Sequence, residues 1–136
     1  MCDLYARMWQ ERFIGYKVVT TYANNKKRYS AAMGFCYDDY EEIPIIKRQR
    51  RLSMNFISDI LDKNQSAYSP SMEGRTAVFV NLEDAIGLYR SIENHRTNAN
   101  IHTEIYKAEV SKDLMKGNYG HDEVVAGRKI KFLKRI

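Results

Sequence analysis

Apolar residues recur along the chain in two periods, one helical and one alternating. Near the amino terminus Leu4, Met8 and Trp9 fall at helical spacing, with Asp3 placed to cap the exposed amides, which predicts a short helix. After Gly15, the run Tyr16 to Tyr22 is rich in β-branched and aromatic residues, and Ala23-Asn24-Asn25-Lys26-Lys27 has turn chemistry. Arg28 to Phe35 then returns as the second strand of a hairpin, with Tyr29, Ala31 and Met33 on one face.

The middle of the chain is less regular. An acidic stretch, Tyr37 to Glu42, precedes a basic run, Lys47 to Arg51, with Ile43, Pro44, Ile45 and Ile46 between them. Leu52, Phe56, Ile57, Ile60 and Leu61 line one side of a helix over Leu52 to Lys63. Leu52, Met54 and Phe56 also alternate as a strand would, and helix is preferred. Asn64 to Gly74 is polar, contains Pro70 and Gly74, and reads as an exposed loop.

Arg75 to Val80 is a short buried strand, followed at once by Asn81 in the cap position of a helix with Glu83 and Asp84 in its first turn. Leu82, Ala85, Ile86 and Tyr89 make the stripe of a helix lying on a sheet, fading near Asn94. Ile101, Thr103 and Ile105 alternate, then the offset set Tyr106, Ala108 and Val110 takes over, which predicts a strand with a bulge. Ser111 to Gly120 reads as a turn with Asp113, Leu114 and Met115 in a single helical turn. Val124 to Ala126 and Arg128 to Ile136 read as strands, the last with Lys129, Lys131 and Lys134 on its wet side. This order predicts one α+β domain over residues 1–136, a small antiparallel sheet with two or three helices packed on it.

Composition narrows the class. A chain of 136 residues buries about two-thirds of its unfolded surface, enough for one core. Hydrophobic residues at 44% and charged residues at 29% argue against disorder. The apolar runs fall far short of the roughly 20 residues that cross a bilayer, so no membrane partner is expected. Asp3, Arg7, Glu11 and Arg12 interrupt any signal-like stretch, and Cys2 and Cys36 lack metal or redox spacing and read as free thiols. A cytoplasmic setting is expected.

Candidate chemistry favours binding over catalysis. The net charge of +5 attracts anions. His95, His102 and His121 show no metal-ligand spacing, and no nucleophile elbow, phosphate loop or dinucleotide fingerprint is present, so neither metal nor cofactor is expected. Ten tyrosines include several beside cations: Tyr16-Lys17, Arg28-Tyr29, Tyr89-Arg90 and Tyr106-Lys107. Stacking on a base and charge-assisted bonds to a phosphate converge at such pairs. The candidate ligand-binding set is Arg28, Tyr29, Arg75, Phe79, Tyr89, Arg90, Lys107 and His121. The basic run Lys47 to Arg51 leaves a nucleic acid as a less favoured partner, since the adjacent acidic stretch opposes a long polyanion. A protein-binding module is a further alternative. Glu104 and Glu109 with Tyr29-Ser30 leave an ADP-ribosyltransferase-like enzyme as another.

Gly15-Tyr16-Lys17-Val18-Val19, Tyr29-Ser30-Ala31, Gly74 to Phe79 with Leu82 to Ala85, and Val124-Val125-Ala126 before Lys129-Ile130-Lys131 resemble small phage and prophage proteins. Among these, the chain is similar to the Thoeris anti-defence sponge family. The resemblance implies a phage-encoded homo-oligomer in the host cytoplasm. Such a protein sequesters a cyclic ADP-ribose or cyclic oligonucleotide signal, uncleaved, in pockets between subunits. It also implies that Arg28, Arg75 and Phe79 surround the nucleotide. An asparagine that the family places farther along has no counterpart between Leu82 and Ser91.

Overall fold

The computed structural model describes residues 2–23, 25–31, 35–45, 72–96 and 99–136. The basic run Lys47 to Arg51, the predicted helix Leu52 to Lys63 and most of the predicted loop Asn64 to Gly74 lie outside the described residues. In chain order the elements are β1 (Cys2–Arg7), β2 (Arg12–Tyr22), β3 (Asn25–Ser30), a 3-10 turn (Tyr37–Asp39), β4 (Thr76–Phe79), α1 (Leu82–Asn94), β5 (Ile101–Ser111), β6 (Met115–Tyr119), β7 (Asp122–Gly127) and β8 (Lys129–Arg135). The strands form one antiparallel sheet in the order β1-β6-β7-β4-β2-β5-β8, with β3 also paired to β2.

This corrects the expected α+β arrangement with two or three helices. Among the described residues one α-helix lies on an eight-stranded sheet. The predicted amino-terminal helix is β1, because its stripe does not hold together. Leu4 enters the core beneath α1, Met8 packs in a second core on the other side, and Trp9 is fully exposed. The alternation Cys2, Leu4, Ala6 fits pairing with β6 instead. The predicted helical turn near Leu114 is also replaced by extended chain. Lys112 and Asp113 turn it through positive φ values of 68° and 53°, and β6 starts at Met115.

The strand β4, the helix after Asn81 and the strands β7 and β8 form near their predicted positions. β2 and β3 pair as a hairpin, but with a tighter connection than predicted: Asn25 to Lys27 already belong to β3, which ends at Ser30 and not at Phe35. Asn81 stands at the helix start, yet its side chain makes no capping bond; its carbonyl accepts the amides of Asp84 and Ala85. Cys2 and Cys36 are free thiols.

β2 organises the sheet. One edge pairs with β5 in unbroken register from Arg12 opposite Ser111 to Tyr22 opposite Ile101. Its other edge meets β4 at Tyr16 and then β3 from Val19 onward. The offset apolar sets in β5 therefore have a different cause from the one expected. Its first half buries Thr103 and Ile105 on the α1 side, and its second half buries Ala108 and Val110 on the opposite side. The register shift falls in the pairing with β8, where Phe132 faces Ala108 and Lys134 faces Lys107, leaving Leu133 as the extra residue.

Three apolar clusters hold these layers together. Val18, Phe79, Ala85, Ile105, Val124 and Ala126 pack under α1. Val78, Ala108, Val110, Leu114 and Val125 fill the other face, and Val19, Phe35, Tyr37 and Ile43 close it near β3. Val19, Val78, Val110 and Val124 are fully buried, each contributing about 1.5–3 kcal/mol of transfer free energy. Among the described residues no helix is long and apolar enough to cross a membrane.

Candidate functional site

Ala85 is fully buried against the sheet, and its small side chain lets α1 lie close over β2 and β5. Ile86 and Tyr89 stand on the same stripe, and Arg90 is turned outward beside them. Where α1 passes β5 these three residues face His102, Thr103, Glu104 and Ile105, with Arg135 and Ile136 at the far wall. The groove so formed holds about 510 Å³, within the roughly 300–1,000 Å³ of small-molecule sites.

The groove follows an edge of the sheet. The β5–β8 ladder ends with Tyr106 opposite Arg135, followed by one bond from the Ile136 amide to the Ile105 carbonyl at 2.8 Å. Ile101 to Glu104 continue past that point with no strand beside them on this edge among the described residues. Consecutive residues of β5, His102 to Ile105, consequently line the same groove. Thr103 is 7% exposed and its hydroxyl finds no hydrogen-bond partner among the described residues.

Charge is concentrated around the opening. Arg135 pairs with Glu104 at 3.4 Å, while the other oxygen of that carboxylate accepts the Tyr106 hydroxyl at 2.9 Å. Burial first, and then this bond to Glu104, push the Tyr106 phenol above its ordinary value. Arg96 donates to the Ile101 carbonyl at 2.8 Å, approaches the His102 ring at 3.5 Å and pairs with Glu93 at 3.6 Å. Arg90 has no acidic partner among the described residues.

A second polar assembly lies on the face opposite α1. The Arg28 guanidinium sits 4.3 Å from the Phe132 ring centroid and 5.4 Å from that of Tyr106. Asp38 holds it there through a 2.5 Å bond to Nη2 and accepts the Arg28 amide at 2.7 Å. Burial alone would raise the Asp38 carboxyl, but the Arg28 hydrogen bonds outweigh it and hold the group below its ordinary value. Lys17 donates to the Ala77 carbonyl at 2.8 Å with its ammonium 5.7 Å from the Tyr37 ring centroid.

Of the sequence-derived candidates, the groove brings together Tyr89 and Arg90. Arg28 belongs to the aromatic assembly, and Tyr29 meets Tyr22 edge to face at 5.0 Å. Arg75 is buried, with its Nε donating to the Asp113 carbonyl at 3.0 Å, and Phe79 is in the core under α1. Lys107 is exposed opposite Lys134, and His121 is exposed in the turn between β6 and β7. Within one chain, then, Arg28, Arg75 and Phe79 occupy three separate places. Glu104 and Glu109, five residues apart on β5, point to opposite faces.

His102, Thr103, Arg135 and Ile136 were not among the candidates, since they come from two distant segments. The signal in the sequence was the polar pair His102 and Glu104 interleaved with Thr103 and Ile105 on a predicted strand. Comparison with protein-family models, with curated proteins and with solved structures finds no match to this chain.

Proposed function

We propose that the protein captures a small phosphate-bearing nucleotide in the groove between α1 and β5 and holds it without chemical change. The observation that carries this is the convergence of Tyr89, Arg90, His102 and Arg135 on one cavity of ligand size. Tyr89 offers a ring for stacking, worth about 1–3 kcal/mol per base. Arg90 and Arg135 offer charge-assisted bonds to phosphate, about 1.5–3 kcal/mol each. The side chains of Ile86 and Ile105 add apolar walls to these polar contacts.

Capture is favoured over turnover by the state of the Glu104 carboxylate in the groove. Glu104 is engaged by Arg135 and by Tyr106, which leaves it poorly placed to act as a base. Sequestration of a cyclic nucleotide signal is the specific form of this proposal.

Thermal-shift measurements with nucleoside monophosphates, cyclic ADP-ribose isomers and cyclic dinucleotides test it, followed by mass analysis of the released ligand. Stabilisation by at least one of them, absent in Arg90→Glu, with the ligand recovered intact, is the expected outcome. No shift at millimolar ligand, or recovery of a cleaved product, would overturn it.

A further inference from the structure

We infer that the open part of the sheet on the α1 side, across β2, β5 and β8, binds single-stranded nucleic acid, with phosphates on a ladder of lysines and a base on Trp9. This surface shares no residue with the lining of the groove between α1 and β5 and does not depend on it.

Side chains directly opposite each other across a ladder share a face, so the register assigns this one. Val18 and Ile105 are opposite each other and lie in the core under α1. Two-residue steps from them place Tyr16, Ile14 and Arg12 of β2 beside Lys107, Glu109 and Ser111 of β5 on the same side. In β8 the partners of Lys107, Glu109 and Ser111 are Lys134, Lys131 and Lys129. The extra residue Leu133 makes this possible, since without it Leu133 and not Lys134 would stand opposite Lys107. Over this stretch β5 turns its buried residues, Ala108 and Val110, to the other side, and Arg12, Ile14, Lys107, Lys131 and Lys134 are exposed.

The face carries Arg12, Lys107, Lys129, Lys131 and Lys134 against one carboxylate, Glu109, a net charge of +4 where the whole chain has +5. None of these five cations is in an ion pair with a described residue. Lys107 and Lys134 are directly opposed, and like charges so placed weaken a sheet. An anion lying over them offsets the repulsion. The lysines of β8 stand at steps of two β5 residues, about 6.8 Å each. That is close to the interval between neighbouring phosphates of an extended single strand, and it favours a linear polyanion over a lone phosphate.

Trp9 is fully exposed and is the chain's one tryptophan. The Met8 amide donates to the Leu114 carbonyl, which holds the connection from β1 to β2 near the Ser111 end of β5. Trp9 is also three residues from Arg12, within about 11 Å even at full extension. Its indole offers a stacking surface at the end of the lysine ladder, and stacking of a base on such a ring tolerates any sequence.

The test is titration of the full chain with a short oligothymidylate, read by Trp9 fluorescence and, for variants, by the anisotropy of the end-labelled oligonucleotide. Quenching of the indole is expected, with log K falling against log salt at a slope of about −2 to −3.5, as three to five neutralised phosphates require. Lys131→Glu with Lys134→Glu is expected to weaken binding at least about tenfold and to flatten that slope. Trp9→Ala is expected to weaken it at least about fivefold with the slope unchanged. Lys107→Gln relieves the opposed pair, so it is expected to weaken binding while its melting temperature holds or rises, which a loss of folding cannot imitate. No binding at low salt, or binding unchanged in the double lysine variant, overturns the proposal. Tighter binding to a duplex of the same length or to phosphatidylserine vesicles overturns the assignment to a single strand. Binding lost in Arg90→Glu but kept in the lysine variants places the oligonucleotide in the groove and overturns it as well.

Discussion

The bond from the Ile136 amide to the Ile105 carbonyl, at 2.8 Å, marks the point where β8 stops covering β5. That early stop leaves the Thr103 segment beside α1 with an edge that no strand pairs among the described residues. Arg90 stands over this opening without an acidic partner among the described residues. Arg90→Glu is expected to weaken nucleotide binding at least tenfold with a melting temperature close to that of the unaltered chain, since surface substitutions of this kind shift stability by less than about 0.5 kcal/mol. Calorimetric titration alongside a melting scan checks both halves.

The Thr103 hydroxyl is buried without a partner among the described residues. Thr103→Val keeps the shape and removes the stranded polar group, so it is expected to stabilise the fold by about 1 kcal/mol. Urea denaturation measures this, and a loss of stability would mean that the hydroxyl is satisfied in solution.

Asp38 fixes Arg28 against Phe132 and Tyr106. Asp38→Ala leaves a guanidinium and an amide without their acceptor and is expected to cost roughly 1–3 kcal/mol. The pH dependence has a definite sign. The folded carboxyl titrates below its unfolded value of roughly 3.9, so its contribution is present above that pH and is lost as pH falls through the folded value. The stability gap between the unaltered chain and Asp38→Asn is therefore expected to be constant near neutrality and to shrink in acid, as urea titrations from pH 7 to pH 2.5 would show.

Gly15 lets β2 cross β4 at close range. A Cβ there would collide with the Phe79 carbonyl oxygen and approach Val78 Cγ2 to 2.7 Å. Gly15→Ala is expected to destabilise the fold by about 1–3 kcal/mol. Gly117→Ala is expected to do the same at the opposite side of the sheet, where its Cβ would strike the backbone of Asp3. Melting scans of the two single variants check this; an unchanged midpoint in either would contradict the close approach.

What the sequence made legible was local. The β-branched run of β2 and the stripe Leu82, Ala85, Ile86, Tyr89 each state their own structure, and each formed, whereas Asn25 to Lys27 of the predicted turn belong to β3. The amino terminus misled because Leu4, Met8 and Trp9 match a helix in spacing, while a partner 113 residues away, Gly117 opposite Leu4, decides for strand. β5 misled for a related reason: its change of phase comes from burial on two faces by different neighbours, which one strand's pattern cannot express. Tyr89 and Arg90 were recognisable as an aromatic–cation pair. Their counterparts on β5 and β8 were not, because only the sheet order brings them to the same groove.

Titration of the ¹⁵N-labelled chain with adenosine monophosphate, followed amide by amide in a heteronuclear correlation spectrum, tests nucleotide capture most directly. Shifts concentrated at Tyr89, Arg90, His102 to Ile105 and Arg135 are expected. An unchanged spectrum at millimolar nucleotide, or shifts gathered around Arg28 and Phe132 instead, would contradict it.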